Sequence, residues 1–194
     1  SLNGFFSIIC AVDNNVYLIR DRYGEKPLYF SNNTDGFIAS SSLTVVAKNS
    51  KSEICKKELF EQSKNPFHRR KTKIGLKTIY KNIYEVFTGT FLTWSRATGD
   101  ISVNEWYNLS NDIKLYKDKD FKETLLNAVQ IRGQSEAKGA VTLSGGVDST
   151  VLASLLVKSG INLPAFTYKS SHKEYHEHET ALSNSSILNI ECNV

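Results

Sequence analysis

The chain has no methionine, only three cysteines and only three prolines among its 194 residues. Because methionine is missing, residue 1 is not a translation start, and we expect a processed chain or a piece of a longer protein. Cys10, Cys55 and Cys192 are odd in number and far apart, which argues against a disulfide framework or a zinc site. We therefore expect a reducing compartment, and specifically a cytoplasmic protein.

Long apolar runs and strong charge of one sign are also missing. The longest apolar run, residues 5–12, is too short to span a bilayer, and no signal peptide is recognisable, so no membrane partner is predicted. The net charge of +4 is mild and the basic residues are spread along the sequence, which argues against a nucleic-acid partner. The 40% hydrophobic content is that of an ordinary globular protein.

The first hundred residues are typical of antiparallel β structure. Apolar runs at residues 5–12 and 16–20 flank Asp13-Asn14-Asn15, which is a hairpin signal. We expect an α+β domain over residues 1–108. Its other predicted elements are strands at 28–30, 37–39, two within 78–95 and one at 101–106, and short helices at 43–47 and within 50–77.

From about residue 111 the pattern changes to alternating helices and strands. Apolar residues recur at helical spacing after Asp120 and Glu123, which form a capping-box pattern, and Gly133 is the predicted end of that helix. The alternation predicts a parallel α/β sheet with right-handed crossovers over residues 115–194. The predicted strands are 140–143, 165–168 and 190–194, and the later predicted helices follow residue 150 and span 177–188.

One loop of the second region carries residues that are suited to binding phosphate and a metal ion. Residues 144–149, Ser-Gly-Gly-Val-Asp-Ser, lie between a predicted strand and a predicted helix, and we call them the glycine loop. Its glycines let backbone approach an anion, and the amides at the start of the next helix suit phosphate oxygens. Ser144, Ser149 and Thr150 add hydroxyl donors. Asp148 would repel phosphates unless it holds Mg²⁺.

The glycine loop resembles the SGGxDS loop of the PP-loop ATP pyrophosphatases, and no Walker motif is present. Four upstream runs are similar to class II glutamine amidotransferases: residues 2–7 (LNGFFS), 20–29 (RDRYGEKPLY), 37–40 (FIAS) and 78–83 (TIYKNI). This order of segments resembles glutamine-hydrolysing asparagine synthetase. The sequence departs from the family pattern at Ser41, Thr88, Gly133 and Lys138, as a divergent branch would.

The resemblance implies an antiparallel β-rich, Ntn-type glutaminase portion followed by a truncated, Rossmann-like PP-loop domain. It implies an AMP-forming ligase that uses ATP and Mg²⁺ to amidate aspartate with ammonia from glutamine. The resemblance is also compatible with a homodimer. Asp148 is the implied metal ligand, and no residue of this chain is implied as a glutaminase catalyst, because those would lie upstream. The implied ATP-binding residues are Leu143, Ser144, Gly145, Gly146, Val147, Asp148, Ser149 and Tyr168.

One alternative is a related amidotransferase that acts on another carboxylate. Another is an enzyme like the β-lactam synthetases or peptide cyclases, which share this architecture, adenylate another carboxylate and use an amine from the substrate. A non-catalytic remnant is a further alternative, although an intact glycine loop argues against it.

Three other features have structural explanations. Cys10 lies in an apolar run and is predicted to be a core cysteine. Arg20, Asp21 and Lys26 are predicted to form structural ion pairs at a surface loop. The cluster of His172, His176 and His178 with neighbouring glutamates is predicted to be a solvated loop leading into a helix rather than a metal site.

Overall fold

The computed structural model describes residues 2–67, 69–112, 118–170 and 177–194, except for the side chains of residues 112, 118 and 119. The chain divides into two compact units, residues 1–113 and 114–194, which we call the first and second units. Across the described ranges, no helix has the length and apolar character needed to cross a membrane.

The first unit contains two antiparallel sheets of four strands each, with strand orders β1-β2-β7-β8 and β4-β3-β6-β5. Its strands are β1 (Ser7–Val12), β2 (Asn15–Arg20), β3 (Tyr29–Asn33), β4 (Gly36–Ser40), β5 (Leu76–Lys77), β6 (Ile83–Glu85), β7 (Thr90–Ser95) and β8 (Ile101–Glu105). Its helices are α1 (Leu43–Asn49), α2 (Lys56–Lys64) and α3 (Leu109–Asp112). The predicted hairpin is confirmed as β1–β2, and the strands predicted at 28–30 and 37–39 form the antiparallel pair β3–β4.

The core of the first unit joins side chains from both sheets. Leu18 of β2 and Leu92 of β7 cluster with Phe30 of β3, and all three are fully buried. Burying a side chain of this size stabilises a fold by about 1.5–3 kcal/mol. A second cluster packs Val46 of α1 against Ile83 of β6, so the helix covers part of the second sheet.

The prediction that Cys10 is a core residue is wrong. Its strand, β1, is the edge strand of the first sheet, and the Cys10 side chain is only half-buried. Ile9 and Val12 on the same strand are each 49% exposed. An apolar run predicted burial, but the position of this strand at the sheet edge leaves its side chains with fewer neighbours.

The described residues of the second unit form a small parallel sheet with strand order β11-β10-β9 and three helices. The predicted adjacency of the first two strands is confirmed, because Ala165 pairs with Val141 and Phe166 with Thr142 in parallel register. The elements are α4 (Asp118–Gly133), β9 (Val141–Thr142), α5 (Val147–Lys158), β10 (Ala165–Phe166), α6 (Glu177–Leu188) and β11 (Cys192–Asn193).

The structure corrects one helix boundary and confirms others. Helix α4 begins at Asp118, so Asp120 lies inside the helix and is not its N-cap. Its end at Gly133 and the bounds of α6 are as predicted. A Cβ on Gly133 would lie 2.5 Å from the Leu156 side chain of α5, so the missing side chain also lets these helices pack closely.

Candidate functional site

The glycine loop connects the end of β9 to the start of α5. The amide of Leu143 donates to the Phe166 carbonyl over 2.8 Å, which extends the pairing of β9 with β10 up to the loop. The Leu143 side chain is 1% exposed and anchors the loop in the core of the second unit. The loop therefore lies at the carboxyl ends of two parallel strands, where open α/β sheets bind ligands.

Glycine at the two positions of the loop has two different explanations. Gly145 has a φ of +83°, and a Cβ there would lie 2.6 Å from the Glu177 carbonyl oxygen at the start of α6. Gly146 is the N-cap of α5 with a φ of −73°, which any residue adopts. A Cβ on Gly146 would meet only the Ser144 hydroxyl, at 3.4 Å. The fold therefore requires glycine at position 145 but leaves open space beside position 146.

The hydroxyls of the loop bond to the loop itself. The Ser144 amide donates to the Ser149 hydroxyl over 3.2 Å, and the two hydroxyl oxygens lie 3.0 Å apart. The Gly146 amide donates to the Ser144 hydroxyl over 3.3 Å. These long bonds between exposed groups are ones that a phosphate could replace at small loss.

The Thr150 hydroxyl has a different role from the one predicted. It donates to the Gly146 carbonyl over 2.8 Å and accepts from the Asn184 side-chain amide over 3.0 Å. Its single proton is therefore engaged within the protein. Thr150 holds the loop in place instead of offering a donor to a ligand.

The start of α5 offers amides and one carboxylate to solvent. The N-cap Gly146 has no side chain to accept hydrogen bonds from the first-turn amides, which leaves them suited to an anion. Asp148 lies exposed in that turn. In the described part of the chain, no group of three or more His, Cys, Asp or Glu side chains is arranged to hold a metal. A magnesium ion shared with phosphates needs only one or two carboxylates, so Asp148 fits such an ion.

A cleft of about 410 Å³ lies beside the glycine loop. Tyr168, which follows β10, is 82% exposed at this cleft, whereas Leu143 can offer only its backbone because its side chain is buried. The structure thus places Tyr168 and the loop serines around the same cleft. The cleft is lined by Thr142, Leu143, Ser144, Ser149, Phe166, Thr167, Tyr168 and Glu177.

Sequence reasoning missed two residues of this region. Glu177 is predicted only as the first residue of a helix, yet it lines the same cleft as the two serines. Asn184 lies on α6 and reaches the loop through Thr150. Of the histidine cluster, His172 and His176 lie outside the described residues, and His178 lies half-buried in the first turn of α6.

Arg20 of the first unit is structural, as predicted, but it is buried and not on the surface. Its guanidinium lies 2.7 Å from the Glu85 carboxylate and donates to the Val86 carbonyl over 2.6 Å. It also donates to the carbonyls of Gly24 and Lys26. The arginine therefore ties the end of β2 to β6 and to the loop that follows β2.

Asp21 is 1% exposed and binds backbone, so the predicted ion pair with its neighbours is wrong. Its carboxylate accepts from the amides of Tyr23 and Glu25 over 3.1 and 3.0 Å, and from that of Lys26 over 2.9 Å. Burial raises the pKa of the carboxyl, but the hydrogen bonds from Lys26, Glu25 and Tyr23 together outweigh burial and hold the pKa below its ordinary value. The acidic side chain closes a tight turn.

Two family models match the chain, in an order that follows the two units. The model described as a glutamine amidotransferase domain matches residues 1–107, and the model described as asparagine synthase matches residues 120–191. The first match lies within the first unit and covers the buried Arg20–Asp21 turn. The second covers the glycine loop and Tyr168.

Curated relatives share modest identity with the chain. The amidase chry2 of Gibberella zeae is 28% identical over 176 residues, covering 84% of this chain, and the amidase chyE of Penicillium rubens gives the same values. Asparagine synthetase [glutamine-hydrolyzing] 1 of Bacillus subtilis is 24% identical over 197 residues, covering 98% of this chain. The chain spans 25% of the length of each amidase and 30% of that of the synthetase.

Proposed function

Because the chain belongs to the glutamine-hydrolysing asparagine synthetase family, we propose that its second unit binds ATP at the glycine loop. The whole protein would be an AMP-forming amide ligase that converts aspartate to asparagine with ammonia from glutamine. Leu143, the loop residues 144–149 and Tyr168 would contact the nucleotide. No residue of the first unit is assigned a catalytic role in glutamine hydrolysis.

The open space at Gly146 is the observation that carries this proposal. Among the residues that the structure describes, nothing requires glycine there, since its φ is negative and a Cβ would have only one ordinary contact. A missing side chain at a helix N-cap is explained when a ligand approaches the backbone closely. Pyrophosphate is the ligand class that matches unpaired amides, two serine hydroxyls and a neighbouring carboxylate able to share a metal.

The proposed reaction assigns each group of the loop a separate task. An acceptor carboxylate oxygen attacks the α-phosphorus of ATP, and the bond to the bridging oxygen breaks to release pyrophosphate. Ammonia then attacks the acyl carbon, AMP leaves, and the nitrogen loses a proton. The loop amides and serines would hold the β- and γ-phosphates. Mg²⁺, held by Asp148 and phosphate oxygens, would offset the charge of the leaving pyrophosphate.

The finer fold assignments belong to the same proposal. We assign the first unit to the Ntn-type glutaminase fold, supported by its two packed antiparallel sheets with α1 on the outer face of one. We assign the second unit to the Rossmann-like PP-loop fold, supported by the parallel β9, β10 and β11 with helices between them.

A pair of glycine substitutions tests the ATP site. Gly146→Ala should fold normally but place a methyl group where the phosphates would lie. We expect it to weaken Mg-ATP binding by about tenfold, or about 1.4 kcal/mol, in calorimetric titrations of the 194-residue chain. Gly139→Ala is the matched control, because its Cβ would meet only the Leu163 side chain at an ordinary 3.4 Å.

Equal Mg-ATP affinity for Gly146→Ala, Gly139→Ala and the wild-type chain would contradict the site. Absence of Mg-ATP binding to the wild-type chain would favour a non-catalytic remnant. Thermal unfolding of each variant separates a blocked loop from a misfolded unit, since Gly146→Ala is expected to keep the wild-type melting temperature within a few degrees.

A different acceptor carboxylate is the second candidate function. The two relatives named amidases share 28% identity with the chain, against 24% for the asparagine synthetase. Exchange of labelled pyrophosphate into ATP, measured on the longest reading frame that contains this chain, distinguishes the two candidates. Exchange that depends on aspartate supports asparagine formation, whereas exchange that depends only on another carboxylate supports the second candidate.

A further inference from the structure

Helix α6 contacts the glycine loop near its own start and the first turn of α5 two turns later. Near its start, the Glu177 carbonyl oxygen and the Thr180 Cβ would lie 2.6 and 3.0 Å from a Cβ on Gly145. Two turns later, Asn184 donates from its side-chain amide to the Thr150 hydroxyl over 3.0 Å. Between these contacts, Ala181 is fully buried in the core of the second unit. The helix is therefore fixed against both the loop and the sheet.

The direction of the hydrogen bonds makes Asn184 part of a chain that ends at the N-cap. Because Nδ2 only donates, the Thr150 oxygen accepts from Asn184 and its own proton is directed to the Gly146 carbonyl, 2.8 Å away. That carbonyl also accepts the Thr150 backbone amide over 3.2 Å, the first bond of helix α5, and the Ser149 hydroxyl over 3.2 Å. Through Thr150, Asn184 therefore holds the Gly146 carbonyl in place. The orientation of the Gly146 peptide in turn sets the direction of the amides in the first turn of α5.

We propose that Asn184 is a positioning residue for the nucleotide, acting through Thr150 on the geometry of the glycine loop. The identity of the ligand rests on the proposed function, whereas the mechanical link between Asn184 and the loop does not. Asn184 lines no part of the cleft. Its effect on phosphate binding is therefore transmitted through the Gly146 carbonyl instead of through contact with the ligand.

The test compares near-isosteric substitutions that interrupt this chain of hydrogen bonds at different points. Asn184→Leu removes the donor, Thr150→Val removes the hydroxyl, and the double variant removes both. Thr150→Ser keeps the hydroxyl, and Ser186→Ala is a control on the exposed surface of the same helix. Each 194-residue variant is titrated with Mg-ATP and with Mg-pyrophosphate. Its hydrogen–deuterium exchange over residues 143–152 is measured without ligand.

Asn184→Leu loses one hydrogen bond of the chain and should weaken the binding of both ligands by about three- to tenfold. Thr150→Val loses both bonds of the hydroxyl and should weaken binding by at least as much. The double variant should bind no more weakly than Thr150→Val, because the two residues act in one chain. Amide exchange should accelerate over residues 143–152 in these three variants and stay at the wild-type rate in Ser186→Ala. Thr150→Ser should stay within about twofold of wild type in affinity.

Two results would overturn the inference, and neither is the result expected if the proposed ATP site is wrong. Additive losses in the double variant would mean that the two residues act independently. Wild-type exchange rates over residues 143–152 in Asn184→Leu would mean that this residue does not hold the loop. If the wild-type chain binds neither ligand, the proposed function fails, and the exchange comparison still decides whether Asn184 positions the loop.

Discussion

The two units use their conspicuous polar residues in opposite ways. In the first unit, Arg20 and Asp21 are buried, and each binds several backbone groups of its own unit. In the second unit, Ser144 and Ser149 are accessible and bond to each other and to the backbone of Gly146, while Asp148 faces solvent. Charged motif residues whose hydrogen bonds are satisfied internally stabilise a fold, whereas accessible groups at the ends of parallel strands remain available to a ligand.

The largest expected effect is the loss of the buried arginine. Arg20→Ala would take from the Glu85 carboxylate its partner at 2.7 Å, leaving it the Arg69 guanidinium at 3.9 Å, and would take from several carbonyls a donor inside the first unit. We expect the free energy of unfolding to fall by about 3–5 kcal/mol, measured by urea denaturation. Arg96→Ala, at an exposed turn of the same unit, should change it by less than about 0.5 kcal/mol. A loss of unfolding free energy for Arg20→Ala as small as that for Arg96→Ala would contradict a structural role for Arg20.

Gly145→Ala should destabilise the second unit by about 2–4 kcal/mol, because a positive φ and a clash with the Glu177 carbonyl act together. Gly160→Ala is the matched control, since it has a φ of +74° but nothing within 4 Å of an added Cβ. It should lose only about 1–2 kcal/mol. Equal losses in thermal unfolding would mean that α6 does not press against the glycine loop.

Asp21→Asn should cost about 1–3 kcal/mol at neutral pH, because an amide cannot accept all three backbone hydrogen bonds. The folded pKa of Asp21 lies below its ordinary value, so its stabilisation is complete above the unfolded pKa of about 3.9 and is lost as the pH falls further. The gap in unfolding free energy between wild type and Asp21→Asn should therefore narrow below about pH 4.

The exposed Asp35→Asn serves as the control for Asp21, and its difference from wild type should stay within about 0.5 kcal/mol at neutral pH. A constant gap between wild type and Asp21→Asn from pH 7 down to pH 2 would contradict the depressed pKa.

Asp148→Asn should have the smallest effect on stability, within about 1 kcal/mol, because the carboxylate lies exposed near a helix N-terminus. Its effect should appear in ligand binding. We expect Mg-ATP affinity to fall by about tenfold, and the loss to vanish or reverse when EDTA removes Mg²⁺, since the carboxylate then only repels phosphates. Glu136→Gln, another exposed acid of this unit, should leave both affinities unchanged. Equal losses with and without Mg²⁺ would argue against a metal ligand.

The sequence predicted the helices and strands better than the burial and the tertiary contacts of their side chains. The β1–β2 hairpin and the bounds of α6 follow from local patterns of turn residues and apolar spacing, and those predictions hold. Cys10 was placed in the core because an apolar run does not reveal that its strand lies at a sheet edge. The Asn184–Thr150 bond joins residues 34 positions apart, and only the packing of α6 beside α5 brings them together. For the same reason, no local pattern predicted that Glu177 lines the cleft.

The central claim is that the glycine loop recognises the pyrophosphate part of a nucleotide. Titrating the 194-residue chain with ATP, pyrophosphate and AMP, each with Mg²⁺, tests it most directly. We predict that ATP and pyrophosphate bind in competition with each other, and that AMP binds at least about tenfold more weakly than ATP. AMP binding as tightly as ATP, or failure of pyrophosphate to displace ATP, would contradict the claim.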